Sequence, residues 1–466
     1  MTTDYTHPDY DRFAPLWRKV RTCCDGEDAV KAAGEVFLPD PSEAEYPRTR
    51  ASHARWERYL QRAVYLNATG RTLQGLVGVA FANWPRIVVP TGAEYLLDDV
   101  DGSGVSMVNQ SQRVVAEVLQ TGRSGLLADA TSLDETDKAR PMTVGEWEQR
   151  GGRLMLVHYS AENILTWEMA DRQLSRLVLR EGYHEYLGGE VNEVPQLREL
   201  TMAGGRCVVT LWRKHTDQGK FLQVSSIRTS FDRIPFHFVG ATNNDATPDL
   251  PPLLDLANLN LAHYRNSADY EESAFLMGQP QLVVKEATEE WKQSNGAIVF
   301  GVRGAICAPP GGDITLLQVG PNTLAKEAMA DKERMMALVG ARLLAPTAAV
   351  KTATQSAAET KAAYSVLTTV CDNVSEAYRA ALGDLARVYN PTAKVDFAID
   401  TRFNDLTLDA NAIRETVAAW QAGLVPQSDA WAVLRRLGVV DQGKTDEQLR
   451  DEIAGQGPTL DLDQAA

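Results

Sequence analysis

The chain has 466 residues, of which 44% are hydrophobic and 23% are charged. Both fractions lie near the average of globular proteins, which excludes a collagen-like, disordered or low-complexity chain, and the length allows about three domains. Aspartate and glutamate number 62 against 47 lysines and arginines, so the net charge is −15. A protein that coats DNA through a basic face is therefore not expected.

The cysteines and the N-terminal residues indicate the setting in which the protein works. Five cysteines are spread along the chain without a C-x-x-C pair, so neither a disulfide framework nor a zinc site is expected, and a reducing compartment fits. Residues 1–11 are polar, and no run approaches the ~18 apolar residues of a membrane span. The sequence predicts a soluble protein with no metal, no cofactor and no membrane contact.

The N-terminal region predicts helix. The pattern from Phe13 to about Arg62 is helical, and Arg55, Arg58 and Arg62 share one helix face that we expect to be solvated. A short strand between two prolines and a further helix are expected at 84–90 and 108–119, respectively.

The middle of the chain predicts β structure. Between Arg153 and Val239 the hydrophobic period shifts towards two, and Gly188–Gly189 and Gly204–Gly205 supply turns. The first half is therefore expected to be α+β, with strands at 154–158, 174–179, 207–212 and 221–227.

The second half begins with a long helix that carries an apolar stripe. At 1.5 Å per residue the helix would be roughly 36 Å long. The stripe stands at steps of 3, 4 and 7, which is the spacing of one helix face. Its members are Leu253, Ala257, Leu261, Tyr264, Ala268 and Phe275.

A small β-rich insert and two further helices follow. Short strands are predicted at 282–284, 297–300 and 314–319, and a second helix runs from about Asn322 to Leu344. A third helix is expected from Ser356, where Ser356 and Glu359 form a capping-box pattern, to Asn390. A strand at 395–399 and two or three short helices between 409 and 455 complete the chain.

Two motif matches suggest chemistry. Residues 438–445 match the phosphate-binding P-loop, but a polar helix end precedes them and two acidic residues follow, so Thr445 is better interpreted as a helix N-cap than Lys444 as a phosphate ligand. Asp99, Asp101 and Ser103 begin like a calcium loop, but Gln110 replaces the bidentate glutamate, which favours a glycine-rich turn. Histidine motifs and G-x-S-x-G are absent, so the sequence does not predict an enzyme.

The order helix, β-rich insert, helix, small polar loop, long helix and short helices resembles the bacteriophage portal protein family. The resemblance is carried by Ile234-Pro235-Phe236 followed by the helix from Leu253, by Thr323–Leu344 with the loop to Gln355, and by Gly423–Gln427 before Leu434. Residues 29–39 also resemble one branch of that family.

The resemblance implies an elongated α+β subunit in a ring, usually of twelve copies, at one capsid vertex. Its expected parts are a wing at 1–248, stem helices at 249–277 and 321–344, a clip at 278–320, a tunnel loop at 345–355, a spine helix at 356–390, and a crown with a C-terminal tail at 391–466. The ring would be the channel for packaging and ejecting double-stranded DNA. The implied partners are the terminase, tail adaptor proteins and the major capsid protein, and the implied location is the virion, after assembly in the host cytoplasm.

Within this resemblance, Thr347, Lys351 and Thr352 are the candidate channel residues. Lys351 carries the only charge of the tunnel loop, so we expect it to approach DNA phosphates, although a solvated loop lysine explains it equally well. If subunits pack side by side, the stem stripe from Leu253 to Phe275 would face the neighbouring helices, so Tyr264→Asp should impair assembly. Residues 249–277 hold five acids and one base, and an acidic wall would let DNA slide.

Other classes of protein remain open. The closest alternative is another ring-forming head-completion or adaptor protein, although these are generally shorter and lack the helix–insert–helix stem. A nonviral oligomeric scaffold and a P-loop NTPase that uses Lys444 are the remaining alternatives. Electron microscopy of the purified protein separates most of them, because a ring with a central hole favours a portal.

Overall fold

The structure is a computed structural model, and it describes residues 5–41, 50–131, 144–187, 189–214, 220–278, 281–286, 288–295, 309, 311–317, 323–344, 365–401, 410–421, 424–436, 440 and 446–455. The chain divides into two compact units, Met1–Ile399 and Asp400–Ala466. The first unit contains all of the described strands and most of the helices. The fold class is α+β, as the sequence predicts.

Helices occur along the whole chain. Among the described helices, none combines the length and the apolar character that crossing a membrane requires. They are α1 (Pro8–Asp25), α2 (Glu27–Ala32), α3 (Arg50–Arg62), α4 (Ala68–Ala80), α5 (Met107–Thr121), α6 (Val144–Gln149), α7 (Leu254–Met277), α8 (Glu289–Asn295), α9 (Thr323–Leu344), α10 (Val366–Tyr389), α11 (Ala410–Gln421), α12 (Gln427–Arg436) and α13 (Asp446–Gly455).

The described strands form four antiparallel sheets. Their orders are β3-β2-β9, β4-β5-β6-β7-β8, β1-β12 and β10-β11. The strands are β1 (Arg86–Val88), β2 (Arg123–Ala130), β3 (Leu154–Ser160), β4 (Ile164–Ala170), β5 (Gln173–Leu187), β6 (Glu190–Ala203), β7 (Arg206–Lys214), β8 (Phe221–Arg228), β9 (Phe236–Gly240), β10 (Gln281–Val284), β11 (Ile314–Leu317) and β12 (Asp396–Ala398).

The largest apolar cluster joins the three-stranded and five-stranded sheets. Leu127, Phe236 and Phe238 of the three-stranded sheet pack in one cluster with Trp167 and Leu177 of the five-stranded sheet. Burial of such side chains contributes roughly 1.5–3 kcal/mol each, so this cluster anchors the β part of the first unit.

Helix α10 covers the other side of strand β9 and carries a buried apolar stripe. It packs against β2, β9, β12 and α5. The predicted helix begins at Ser356, but the described helix begins at Val366, where Ser365 is extended and its Oγ accepts a hydrogen bond of 3.1 Å from the Thr368 amide. Residues 356–364 lie outside the described part. The buried stripe is Leu367, Val370, Val374, Ala377, Ala381 and Leu385.

The N-terminal region differs from the continuous helical pattern that the sequence predicts. Helix α1 ends at Asp25 because Gly26 adopts a φ of 100°, a conformation that residues with a Cβ rarely adopt. A 3₁₀ turn at Gly34–Val36 follows α2, and α3 begins at Arg50. The described part of this region therefore consists of three separate helices and a short turn.

Two strands of the five-stranded sheet, β4 and β6, are not predicted by the sequence. Strand β6 contains Pro195 and several charged residues, so its pattern does not alternate cleanly. The charges are balanced across the strands, because Arg198 pairs with Glu181 of β5 at 2.7 Å and Glu199 pairs with Arg176 of β5 at 2.7 Å. Cross-strand ion pairs of this kind let polar residues occupy a half-buried strand.

The second unit contains the short helices α11, α12 and α13, in agreement with the two or three helices predicted between 409 and 455. Helices α11 and α12 pack against each other. Ala430, Trp431 and Leu449 are buried, and the Arg450 guanidinium lies 5.9 Å from the Trp431 ring centroid. The boundary between the units falls after Ile399, later than the predicted start of the crown at 391, because β12 pairs with β1.

Candidate functional site

The two helices predicted on either side of the β-rich insert, α7 and α9, pack against each other and flank the β10–β11 ladder in the chain. In this ladder Gln281 pairs with Leu317 and Val284 with Ile314, which agrees with strands predicted at 282–284 and 314–319. The third predicted strand, 297–300, lies outside the described residues. The sequence pattern did not predict α8, which lies inside this insert.

The apolar stripe of α7 is buried inside its own subunit. Five members, Leu253, Ala257, Leu261, Tyr264 and Ala268, are no more than 3% exposed. Helix α7 packs against α1, α3 and α4 as well as α9. The expectation that this stripe faces neighbouring subunits is therefore corrected: it is part of the subunit core, because three helices of the N-terminal region cover it.

Phe275, the sixth member of the stripe, is different because it is 43% exposed. The Arg62 guanidinium carbon lies 4.3 Å from its ring centroid, and Arg62 also pairs with Glu272. Arg55 lies 3.8 Å from the same carboxylate. The arginine face of α3, expected to be solvated, thus holds the end of α7 through Arg62, whereas Arg58 is exposed as expected.

Polar contacts fix α7 along its length. Asn260 Oδ1 accepts a hydrogen bond of 3.2 Å from the Ala68 amide, and Ser267 Oγ accepts one of 3.1 Å from the Val64 amide. The Tyr59 hydroxyl donates a hydrogen bond of 2.7 Å to Asp269. Burial is the main cause that raises the pKa of Tyr59, and this hydrogen bond is the second. His263 Nε2 lies 3.2 Å from Glu333 Oε1 of α9, which joins the two long helices.

Helix α9 has one packed face and one open face. Only Met336 and Leu343 are buried, and they stand seven residues apart. The open face carries exposed residues at steps of 7, 4, 3 and 4, which align them along one side of the helix. This α9 stripe consists of Leu324, Asp331, Met335, Leu338 and Arg342, and the three apolar members are 76%, 50% and 54% exposed.

The candidate channel residues lie outside the described residues. Thr347, Lys351 and Thr352 belong to 345–355, between the end of α9 at Leu344 and the N-cap of α10 at Ser365. The structure therefore describes the end of α9 and the start of α10 on either side of this loop, and the role of Lys351 stays a prediction.

The run that resembles a calcium loop is a turn held by backbone amides, as its sequence predicts. Asp99 Oδ1 accepts hydrogen bonds from the amides of Gly102 at 2.9 Å and Gly104 at 2.8 Å, and Oδ2 pairs with Arg153 at 2.9 Å. These contacts lower the pKa of Asp99, and the hydrogen bond from the Gly104 amide has the largest effect. Gln110 is buried, and its side chain bonds to Leu156 and Tyr378 instead of facing the turn.

The P-loop match falls largely outside the described residues, which include only Val440 of 438–445. Helix α13 begins directly after it, with Asp446 and Glu447 in its first turn. Acidic side chains there interact favourably with the helix dipole and would repel a phosphate. Among the described residues, no group of three or more His, Cys, Asp or Glu side chains is arranged to hold a metal ion.

The comparisons with known proteins concern this helix–insert–helix region. No curated protein matches the chain. A family model described as a domain of unknown function, DUF4055, found in phage-related proteins, matches residues 252–388, which run from the start of α7 through the insert and α9 to the end of α10.

Proposed function

We propose that this protein is a bacteriophage portal protein, which forms a ring at one capsid vertex and serves as the channel for DNA packaging and ejection. The observation that carries the proposal is the span of the DUF4055 match, because residues 252–388 cover the helix–insert–helix–helix series that resembles the portal stem, clip and spine. In this role the protein would form a ring, usually of twelve copies, and would contact the terminase, tail adaptors and the major capsid protein.

The α9 stripe supports assembly into a ring. Helix α9 has 22 residues but only two buried side chains, so one of its faces is left open by the described residues, which pack against the other face. Its open face presents Leu324, Met335 and Leu338 together with one acid and one base, Asp331 and Arg342. Exposed apolar rows on a helix typically mark contacts with another protein, and in a ring each copy would offer this face to its neighbour.

Charge supports a passage that does not hold DNA tightly. Each copy carries a net charge of −15, so a ring would be strongly acidic as a whole. Three of the five acids in 249–277 are engaged within the chain, because Asp249 accepts from the Thr242 amide, Asp269 from Tyr59, and Glu272 pairs with Arg62. Any acidic wall of the passage would therefore rely on other acids as well.

Negative-stain electron microscopy and native mass spectrometry of the full-length protein test the proposal. We expect rings with a central hole and a mass that is an integral multiple of 51.1 kDa, with twelve copies as the main species. A protein that stays monomeric at all concentrations and salt conditions, including in the presence of duplex DNA, would contradict it. Closed rings too small to admit a duplex would favour the adaptor alternative instead.

A further inference from the structure

A groove of about 510 Å³ lies beside strand β9 in the first unit. It is lined by the tight turn between β4 and β5, which includes Arg172, and by α10, which contributes Glu376 and Ala380. Phe236 and Phe238 of β9 also line it. We call this space, defined by these residues, the β9 groove. It lies apart from the α9 stripe.

Strand β9 is the last described strand of its sheet, and its free backbone edge faces away from β2. At Gly240 this edge is already satisfied by side chains: the amide donates to Asn244 Oδ1 at 3.3 Å, and the carbonyl accepts from Asn373 Nδ2 at 3.0 Å. The two asparagines bond to Gly240 as a neighbouring strand would. The carbonyl of Pro235 points towards β2 instead, because it accepts a hydrogen bond from the Ala128 amide of β2.

The backbone groups of Phe236 and Phe238, which line the groove, have the same orientation as those of Gly240. In an antiparallel pair, residues with outward backbone groups recur at every second position. Because Gly240 bonds outward, the amides and carbonyls of Phe238 and Phe236 also point to the free edge. Within the described residues, no side chain or backbone group from outside the sheet bonds to them. A short stretch of unpaired strand edge therefore borders the groove.

The charges around the groove are separated. Arg172 is exposed and makes no ion pair with the described residues, and Arg233 is 44% exposed although it pairs with Asp384. Asp245 and Glu376 lie by Gly240, at the opposite end of β9 from Arg233, and Asn244 Nδ2 donates to Glu376 at 2.9 Å. An extended ligand with a carboxylate near the arginines complements this arrangement.

We propose that the β9 groove binds an extended segment of a partner polypeptide, which adds to β9 as a further strand and places a carboxylate against Arg172 and Arg233. A free strand edge beside a helix is a recurring arrangement for peptide recognition, in which main-chain bonds supply affinity and side-chain pockets supply specificity. Five residues of β9 span ~17 Å, enough for a short peptide strand. This inference is independent of the ring, because the α9 stripe takes no part in it.

A displayed library of random octapeptides, selected on the full-length protein, tests the proposal. Each round is counter-selected on Ala380→Trp, whose indole would fill the groove from the side of α10. We expect enriched peptides that alternate apolar residues and carry an acidic residue at one end. A synthetic copy should bind at least tenfold more weakly to Ala380→Trp and to Arg172→Glu, a change on an exposed turn that does not disturb the core.

Amide hydrogen exchange locates the bound peptide. The amides of Phe236 and Phe238 should exchange more slowly in the complex. N-methylation of the peptide at the residues that pair with β9 should abolish binding, whereas N-methylation at the intervening residues should not. Failure to enrich any peptide over the counter-selection, or a bound peptide that leaves the exchange of both amides unchanged, would overturn the proposal.

Discussion

The Tyr378 hydroxyl of α10 donates a hydrogen bond of 2.9 Å to Oε1 of Gln110 on α5. Gln110 Nε2 in turn donates to the Leu156 carbonyl of β3 at 2.8 Å. Tyr378 is fully buried and its ring stacks on Phe397 of β12, with centroids 4.3 Å apart. A single chain of contacts thus joins the matched segment 252–388 to the α/β part of the first unit.

Tyr378→Phe should destabilise the protein because it leaves the buried Oε1 of Gln110 without a donor. A buried polar group left unpaired costs about 1–3 kcal/mol, so we expect a loss of this size in the free energy of unfolding, measured with urea. The same change in a Gln110→Met background should cost less, because no acceptor remains to be stranded. Equal costs in the two backgrounds would show that the hydrogen bond contributes little.

Asp384 of α10 should make stability depend on pH. It is 2% exposed and accepts hydrogen bonds from His237 at 2.8 Å and from Arg233. Burial alone would raise its pKa, but these bonds and charges outweigh burial and hold the pKa below the ordinary value of 3.8. A carboxyl with a lowered folded-state pKa stabilises the fold above its ordinary pKa and loses that contribution as the pH falls through the folded-state value.

Asp384→Asn should therefore lower the free energy of unfolding at pH 7 by about 2 kcal/mol, because hydrogen bonds to a charged group are lost. The loss is no larger because solvent screens the half-exposed Arg233. The gap to the wild type should narrow as the pH falls below about 4, because the carboxyl of the unfolded chain is protonated there first, and it should close as the folded carboxyl is protonated at lower pH. Asp372→Asn, an exposed change on the same helix, is the control: partial burial raises the pKa of Asp372 instead of lowering it, so this variant should not lose stability at pH 7. A gap that stays constant down to pH 2.5 would contradict this account.

The described thiols should be unreactive in the folded protein. Burial raises the pKa of Cys23 and Cys207 to about 11 and that of Cys24 to about 12, and it raises the pKa of Cys371 as well. Since the thiolate is the reactive form, a disulfide reagent at pH 8 should modify none of these four before unfolding. Cys307 lies outside the described residues, so the experiment uses Cys307→Ser. Cys23, Cys207 and Cys371 are buried and Cys24 is partly buried. Rapid modification of any of these four thiols in that variant would contradict the prediction.

The sequence predicts the long helices well because their patterns are strong and local. Helices α7 and α10 are each 24 residues long, and apolar side chains at helical spacing are buried along both, except for the exposed Phe275 of α7. Strands β4 and β6 were not predicted because the residues that stabilise them are far away in the sequence. Arg198 of β6, for example, is balanced by Asp129 of β2 and Glu181 of β5, which no local pattern reveals.

The same limit explains the error about the α7 stripe. Periodicity shows that Leu261 and Tyr264 share a face, but it cannot tell whether that face meets another copy or the same chain. Tyr264 packs edge-on against Tyr65 of the same chain, with ring centroids 5.8 Å apart. Tyr264→Asp would therefore unfold the subunit and is not a test of assembly.

Lys351→Ala tests the predicted DNA contact. If Lys351 approaches phosphates, binding of a short duplex to the assembled ring should depend less on salt, with the slope of log K against log salt reduced by about 0.9 for each copy in contact. Fluorescence anisotropy of a labelled duplex measures the slope. Lys326→Ala, an exposed change on α9, is the control. An unchanged slope for Lys351→Ala would mean that this side chain is simply solvated.

Met335→Asp and Leu338→Asp on the α9 stripe test the subunit contact directly. Both side chains are at least half exposed in the subunit, so each change should alter the free energy of unfolding by no more than about 0.5 kcal/mol. In an assembled ring the same position would lie between copies, where a carboxylate left unpaired costs several kcal/mol, so rings should give way to monomers in native mass spectra. Val36→Asp, which changes a 76% exposed side chain far from α9 in the sequence, should leave rings intact. Normal rings from both α9 variants would place the contact between copies on another surface.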